Sequence, residues 1–239
     1  MTTRTDDLLS YLFDGQPHVL AQPMAAWLAS SRRFASFAAT FRDKIRKKFR
    51  TTQDQKSLLD LRVELETAYL LLRERSLGLV YEPEQSKGIR SPDFAVTFTT
   101  SLTFMVEVTR VQVEQKSAAA AQPFGARLAE AVASKLGQLL PQRANVLVVA
   151  ADVPLMAGDV ANAMLILQQR AERSDAAVLQ GHGFLDRADF FRHYQRLSEL
   201  VVRVADVEAT RPTLTWINPQ AKHPLPGRVR TVLYRAFMR

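Results

Sequence analysis

The sequence predicts an α/β protein with a central mixed β-sheet that is flanked by helices. Residues 93–111 contain two strand-like runs in which apolar side chains alternate, separated by a Thr/Ser turn at 99–101, which is the pattern of a β-hairpin. A helical segment at 118–140 follows, and then a continuous apolar run at 145–150 that is typical of a buried strand. Strand, helix and strand in this order favour a βαβ crossover and therefore a partly parallel sheet.

The first 50 residues predict a basic helical extension, which we separate from an α/β domain at 51–239. Between residues 31 and 50, aromatic and aliphatic side chains recur at intervals of three and four, so they predict the buried face of one amphipathic helix. Basic residues cover much of the rest of this helix. They are either a solvated face or a surface laid against phosphates, and the sequence leaves both open. The candidate nucleic-acid contacts are Arg42, Lys44, Lys47, Lys48 and Arg50.

The remaining elements alternate along the chain in the way that the fold class requires. A long helix is predicted at 55–77 and a strand at 77–81, before the hairpin. Beyond 150, helices are expected after Pro154 and at 186–196. Closing strands are expected at 200–204 and 214–217, and a last basic helix at 227–238.

Charge is distributed unevenly over the 239 residues, whose net charge is +8. Residues 1–50 hold nine Lys/Arg against four Asp/Glu, and residues 222–239 hold five against none, so each end carries +5. The middle of the chain holds eighteen against twenty, or −2. Two basic ends on a nearly neutral core predict a polyanionic partner, most simply nucleic acid, with DNA as the first choice and RNA left open. A role in solubility alone is the alternative.

Several other classes of site lack their sequence signals. The chain has no cysteine, which excludes disulfides and thiolate metal sites and is compatible with the reducing cytoplasm, where we expect the protein. No apolar run approaches the length of a membrane span, so no membrane partner is expected. The four histidines show no metal-ligand spacing, and no glycine-rich phosphate loop or serine-hydrolase elbow occurs.

Two acids stand out in the predicted hairpin. Asp93 opens the first arm directly after Pro92, and Glu107 lies in the middle of the apolar second arm. An unpaired carboxylate is costly in such a run, so we expect Glu107 to have a partner. A hydrated Mg²⁺ held jointly with Asp93 would supply one.

The hairpin resembles the signature of a known enzyme superfamily. Pro92-Asp93, thirteen intervening residues and Glu107-Val108-Thr109 look like the PD-(D/E)XK motif, with an acidic helix before it and an αβ unit after it. The resemblance covers roughly residues 55–150. It implies a restriction-endonuclease-like fold in which Asp93 and Glu107 bind one or two divalent ions, Mg²⁺ or Mn²⁺. It further implies that the Val108 carbonyl adds a ligand and that a helix carboxylate does so too, for which Glu64 is preferred over Glu66.

The position of the family's lysine is occupied here by Thr109. In the superfamily, that lysine lies two residues after the glutamate and contacts the water or the scissile phosphate. Related nucleases sometimes carry the basic group on the following helix, so Lys135 is the candidate replacement and Arg110 the lesser one. Gln138 lies three residues after Lys135 and so shares its helix face. The alternative is that Lys135 is an ordinary surface lysine.

These inferences combine into an expected function. The resemblance implies Mg²⁺-dependent hydrolysis of phosphodiesters in nucleic acid by Asp93, Glu107, Lys135, Thr109 and Gln138, by a protein acting alone, as a homodimer or in a larger complex. The alternative is a catalytically inactive nucleic-acid-binding or assembly module that kept the fold and lost the lysine.

Overall fold

The computed structural model describes residues 2–52, 54–83, 91–99, 101–111, 123–205 and 213–238. Within these ranges the chain forms an open six-stranded mixed sheet with helices packed on it. The strands are β1 (Leu77–Tyr81), β2 (Phe94–Phe98), β3 (Leu102–Val111), β4 (Asn145–Ala151), β5 (Leu197–Val204) and β6 (Leu214–Ile217). The helices are α1 (Thr2–Leu12), α2 (Ala21–Ser30), α3 (Arg32–Thr40), α4 (Arg42–Thr51), α5 (Gln55–Leu72), α6 (Phe124–Leu136), α7 (Asp159–Glu172), α8 (Ala176–Leu179), α9 (Arg187–Tyr194) and α10 (Gly227–Phe237).

The strands lie side by side in chain order, from β1 to β6. β1, β2 and β3 form an antiparallel meander, and the predicted hairpin is its second half, with Phe94 opposite Val106 and Phe98 opposite Leu102. β3, β4 and β5 are parallel, and β6 returns antiparallel to β5. The crossover through α6 between β3 and β4 is therefore confirmed, as is the α/β class with a mixed sheet.

Two hydrophobic cores cover the two faces of the sheet. One contains apolar residues of α1–α5 and α10 together with Val106 and Val148 of the sheet. The other contains residues of α6, α7 and α9 together with Leu147 and Val149. All seven residues of β4 are buried because both of its faces are covered, which explains its continuous apolar sequence. The N-terminal helices share one core with α5 and β1–β3.

The prediction of a single helix over residues 31–50 is wrong, because the structure has two helices, α3 and α4, that are separated at Phe41. The backbone there has φ −104° and ψ 20°, outside the helical region, and α3 and α4 continue separately on either side. The prediction that the aromatic stripe is buried is confirmed, since Phe34, Phe37 and Phe49 lie in the core. The break lets α4 keep its apolar face on the core while reaching the end of β1.

Other element boundaries differ by a few residues. α5 ends at Leu72 and not at residue 77 as predicted. At this end Arg33 donates a hydrogen bond of 2.8 Å to the Leu72 carbonyl, one of the acceptors that a helix end leaves free. α6 begins at Phe124, and the predicted residues 118–122 lie outside the described residues, as does Thr100 of the predicted turn. In the described part of the chain, no helix is both long enough and apolar enough to span a bilayer.

Candidate active site at the β2–β3 hairpin

Asp93 and Glu107 occupy neighbouring positions on the hairpin. The strand pairing ends at Phe94 opposite Val106, so Asp93 directly precedes β2 and lies near Glu107, which directly follows Val106 on β3. The Asp93 carboxylate accepts a hydrogen bond of 2.7 Å from the Val108 N–H at its Oδ2. Asp93 is therefore fixed to the backbone beside Glu107. Val108 was predicted to offer its carbonyl as a metal ligand, and the contact that the structure shows is made by its N–H.

Lys135 reaches the same place from α6. Its Nζ lies 2.8 Å from Glu107 Oε1 and 3.3 Å from Gln138 Oε1. Glu107 points towards α6 because alternate β3 side chains, Val106 and Val108, are turned to the other core. The side chain of Glu107 is 4% exposed and that of Lys135 15%, so the pair is largely withdrawn from solvent. The three side chains predicted on β3 and α6 are thus brought together.

Glu64 approaches from α5 on the other side of Asp93 and is paired with Lys48 of α4. Lys48 Nζ lies 2.6 Å from Glu64 Oε1 and 2.7 Å from Glu82 Oε1, and 4.9 Å from the centre of the Tyr81 ring. Glu82 follows β1 directly, and its N–H donates to the Asp93 carbonyl. The cluster therefore contains three neighbouring carboxylates, Glu64, Asp93 and Glu107, with Lys48 at one end and Lys135 at the other.

The electrostatics of this cluster converge on Asp93. Desolvation, together with the negative charges of Glu64 and Glu107, raises the pKa of the Asp93 carboxyl from 3.8 to about 8, although the Val108 N–H and Lys135 oppose the shift. Burial, and to a lesser extent the negative charge of Glu64, holds the pKa of the Tyr81 phenol well above its usual range. Burial works against the charged form of Lys48, but Glu64 and Glu82 outweigh it and raise the pKa of that ammonium.

The donor set suits a hard divalent cation. Glu64, Asp93 and Glu107 supply carboxylate oxygens, which are the ligands that Mg²⁺ and Mn²⁺ prefer, and a cation among them would relieve the repulsion that Asp93 experiences. Within the residues described, however, no three His, Asp or Glu side chains converge in a ready arrangement for one ion. In this structure Glu64 and Glu107 are instead paired with Lys48 and Lys135.

The other motif candidates have different surroundings. Glu66, the second choice on α5, is 1% exposed and forms an ion pair of 2.6 Å with Arg203 of β5, away from the hairpin cluster. Arg110 is held by Asp60 at 3.0 Å and by Asp152 at 2.7 Å. Thr109 is half-buried on β3. The structure therefore brings Glu64, and not Glu66, to Asp93.

The five basic residues selected on α4 are used in different ways. Lys48 joins the carboxylate cluster, and Lys44 donates to the Tyr81 and Glu82 carbonyls at 3.2 and 2.8 Å. Arg50 pairs with Asp14, as does its helix neighbour Arg46. The other two members, Arg42 and Lys47, are exposed at the surface.

Sequence reasoning selected Lys48 only as a nucleic-acid contact, and it missed Tyr81 and Glu82 altogether. A signal was present for Lys48, since it lies three residues after Ile45 and one before Phe49, which places it beside the buried face of α4. Glu82 had only its position after a predicted strand, which does not show where a side chain lies in three dimensions.

No protein-family model, no curated protein and no solved structure was found to match the chain. The candidate site accordingly rests on its own geometry.

Proposed function

We propose that the protein is a divalent-metal-dependent nuclease of the PD-(D/E)XK type, which hydrolyses phosphodiester bonds in nucleic acid. The observation that carries this proposal is the position of Lys135. Its ammonium lies 2.8 Å from Glu107, whose negative charge acts on Asp93. We infer that this cation from α6 replaces the lysine that the superfamily carries on β3, at the position of Thr109 in this chain.

Each residue of the cluster has a role in this proposal. Asp93 and Glu107 would hold Mg²⁺ or Mn²⁺, with Glu64 as a further ligand and the Val108 backbone beside them. When bound, such an ion lowers the pKa of a coordinated water and stabilises charge on the scissile phosphate. Lys135 would contact the phosphate, and Gln138 would hold the ammonium in place through the contact of 3.3 Å.

The arrangement of positive charge supports nucleic acid as the substrate. Arg42 and Lys47 are exposed on α4, the same helix that delivers Lys48 to the carboxylate cluster. A duplex or single strand bound along α4 would therefore lie close to the candidate metal ligands. Contacts between these cations and phosphates would release counterions, so binding should weaken steeply as salt is added.

A cleavage assay with matched variants tests the proposal. Purified protein is incubated with labelled single- and double-stranded DNA and RNA, with Mg²⁺, Mn²⁺ or EDTA. We expect metal-dependent cleavage that Asp93→Asn and Lys135→Ala each reduce by at least about 100-fold, because one removes a metal ligand and the other the phosphate contact. Lys56→Ala, which changes an exposed lysine at the start of α5, is the control and should cleave normally.

Two results would contradict different parts of the proposal. Normal cleavage by Lys135→Ala would refute the role of Lys135 while leaving the nuclease assignment intact. No cleavage of any substrate with either metal would favour the alternative, a catalytically inactive binding or assembly module.

One observation supports that alternative directly. Lys48 and Lys135 already pair with Glu64 and Glu107, so two of the three carboxylates have a protein cation as partner without any metal. An inactive module should bind nucleic acid equally well with EDTA and with Mn²⁺, and its unfolding temperature should not respond to Mn²⁺. A nuclease should show a metal-dependent increase in that temperature.

A further inference from the structure

The end of β1 forms a corner that α4 holds with two lysines. Glu82 adopts φ +41°, a left-handed conformation that is uncommon and strained for a residue other than glycine. Lys44 donates to the backbone carbonyls of Tyr81 and Glu82. Lys48 contacts the Glu82 side chain at 2.7 Å. A strained corner held in this way presents the Glu82 carboxylate at a fixed place.

Lys48 occupies a position that a cation bound by carboxylates would take. Its Nζ lies within 2.7 Å of one oxygen of Glu64 and one of Glu82, so both acids are directed at a single point of positive charge. Glu64 is also one of the two carboxylates whose charge raises the pKa of Asp93. The cation that Glu64 meets in this structure is therefore supplied by the chain itself.

The chemistry of lysine makes this contact exchangeable. An ammonium is a compact charge on a flexible stem, and it lacks the two-pronged geometry by which arginine locks a carboxylate. The Lys48 side chain is 26% exposed and Glu82 34%, so the ammonium has an open direction in which to move. The Tyr81 ring, 4.9 Å away, offers it a second favourable contact.

We propose that Lys48 is a built-in counter-ion that competes with the divalent cation for Glu64, so that metal binding requires Lys48 to release this carboxylate. This rests on the proposed function for the identity of the metal ligands. It assigns Lys48 a positioning role at the site, in place of the phosphate contact expected from its place on a basic helix. The opposing possibility is that Lys48 has only a structural role, in which its ion pairs hold α4 against α5 and against the end of β1.

Metal affinity separates the two roles. Isothermal titration with Mn²⁺ is carried out on the wild type, Lys48→Met, Lys48→Arg and the control Lys56→Met, without any substrate. We expect Lys48→Met to bind Mn²⁺ about tenfold more tightly, because a positive charge beside the ion is removed and Glu64 becomes available. Lys48→Arg should bind Mn²⁺ more weakly than the wild type, because arginine holds a carboxylate with more donors, whereas Lys56→Met should bind like the wild type. Adding Asp93→Asn to Lys48→Met should abolish the gain.

A second measurement uses the unmodified protein and so does not depend on how Lys48→Met folds. Reductive methylation of lysines is followed residue by residue by mass spectrometry, with Lys56 as the internal reference. Methylation of Lys48 should accelerate several-fold when Mn²⁺ is added, because the ammonium is released from Glu64, and the acceleration should be absent in Asp93→Asn.

The outcomes distinguish this proposal from the nuclease proposal. Equal or weaker Mn²⁺ affinity in Lys48→Met, or Lys48 methylation that ignores Mn²⁺, would overturn the counter-ion role even in a protein that cleaves nucleic acid. Failure of every variant to bind Mn²⁺ would overturn it as well. Tighter, Asp93-dependent binding by Lys48→Met would support it even in a protein that cleaves nothing.

Discussion

Two groups of buried carboxylates on the sheet are neutralised in different ways. On β5 and its neighbours each acid has an arginine partner. Glu66 pairs with Arg203 at 2.6 Å, and Glu199 pairs with Arg230 at 2.9 Å. At the hairpin, by contrast, the three carboxylates of the proposed metal site have only two lysines near them. The carboxylates are those of Glu64, Asp93 and Glu107, and the lysines are Lys48 and Lys135.

The difference separates structural pairs from a candidate functional cluster. Arginine is permanently charged and binds a carboxylate with several donors, so the Glu66–Arg203 pair joins α5 to β5 durably. Burial raises the pKa of Glu199, although Tyr234 and Arg230 both oppose the shift. At Asp93 the negative charges of Glu64 and Glu107 add to the effect of burial, and its pKa reaches about 8. A buried group left with an excess of like charge is typical of a binding or catalytic site.

The largest expected effect comes from breaking an arginine pair. Glu66→Gln leaves the buried charge of Arg203 uncompensated, so the free energy of unfolding should fall by about 3–5 kcal/mol. Glu64→Gln changes the same residue type two positions away on α5 and is the matched control. It breaks the contact with Lys48 but leaves Lys48 paired with Glu82, and it removes a charge that crowds Asp93, so we expect a change below about 1 kcal/mol. Urea unfolding measures both, and equal decreases would contradict the distinction between the two groups.

An intermediate effect is expected from Asp93→Asn, and it depends on pH. The pKa of Asp93 is about 8 in the folded protein against 3.8 as the ordinary value, so the unfolded chain binds fewer protons between these limits. The stability of the wild type should therefore fall as pH rises through this window. Asp93→Asn should be more stable than the wild type by about 1–3 kcal/mol above about pH 8, with the difference vanishing near about pH 4.

Thermal unfolding at several pH values checks this prediction. At high pH, saturating Mn²⁺ should raise the unfolding temperature of the wild type and leave that of Asp93→Asn unchanged. The reason is that the bound ion would supply the positive charge that the ionised Asp93 lacks. Parallel pH profiles for the two proteins would show that Asp93 is ionised normally in the fold.

The smallest effect on stability is expected from the exposed charges of α4. Arg42→Glu with Lys47→Glu should change the free energy of unfolding by less than about 0.5 kcal/mol, because both side chains face solvent. The affinity for nucleic acid should nevertheless fall for all sequences alike. The slope of log affinity against log salt should decrease by about one for each phosphate that is no longer neutralised. Unchanged binding in an electrophoretic mobility assay would remove α4 from the interface.

Local pattern was sufficient for most elements of the fold. The alternation in β2 and β3, the continuous apolar run of β4 and the three-and-four spacing of α4 each depend on neighbours in the chain. The division of the basic helix at Phe41 and the end of α5 at Leu72 did not follow from periodicity. Both depend on contacts with residues far along the chain, such as the hydrogen bond from Arg33 to Leu72.

The sequence by itself determined that Asp93 would directly precede one arm of a hairpin and that Glu107 would lie within the other arm, because turns and a two-residue period follow from local chain geometry. Only the tertiary structure decided which distant charges meet them. Lys135 faces Glu107 because α6 crosses back over the sheet, and Lys48 faces Glu64 because α4 packs between α5 and the end of β1. Electrostatic energy depends on distance in space and on burial, and neither quantity is set by separation along the chain.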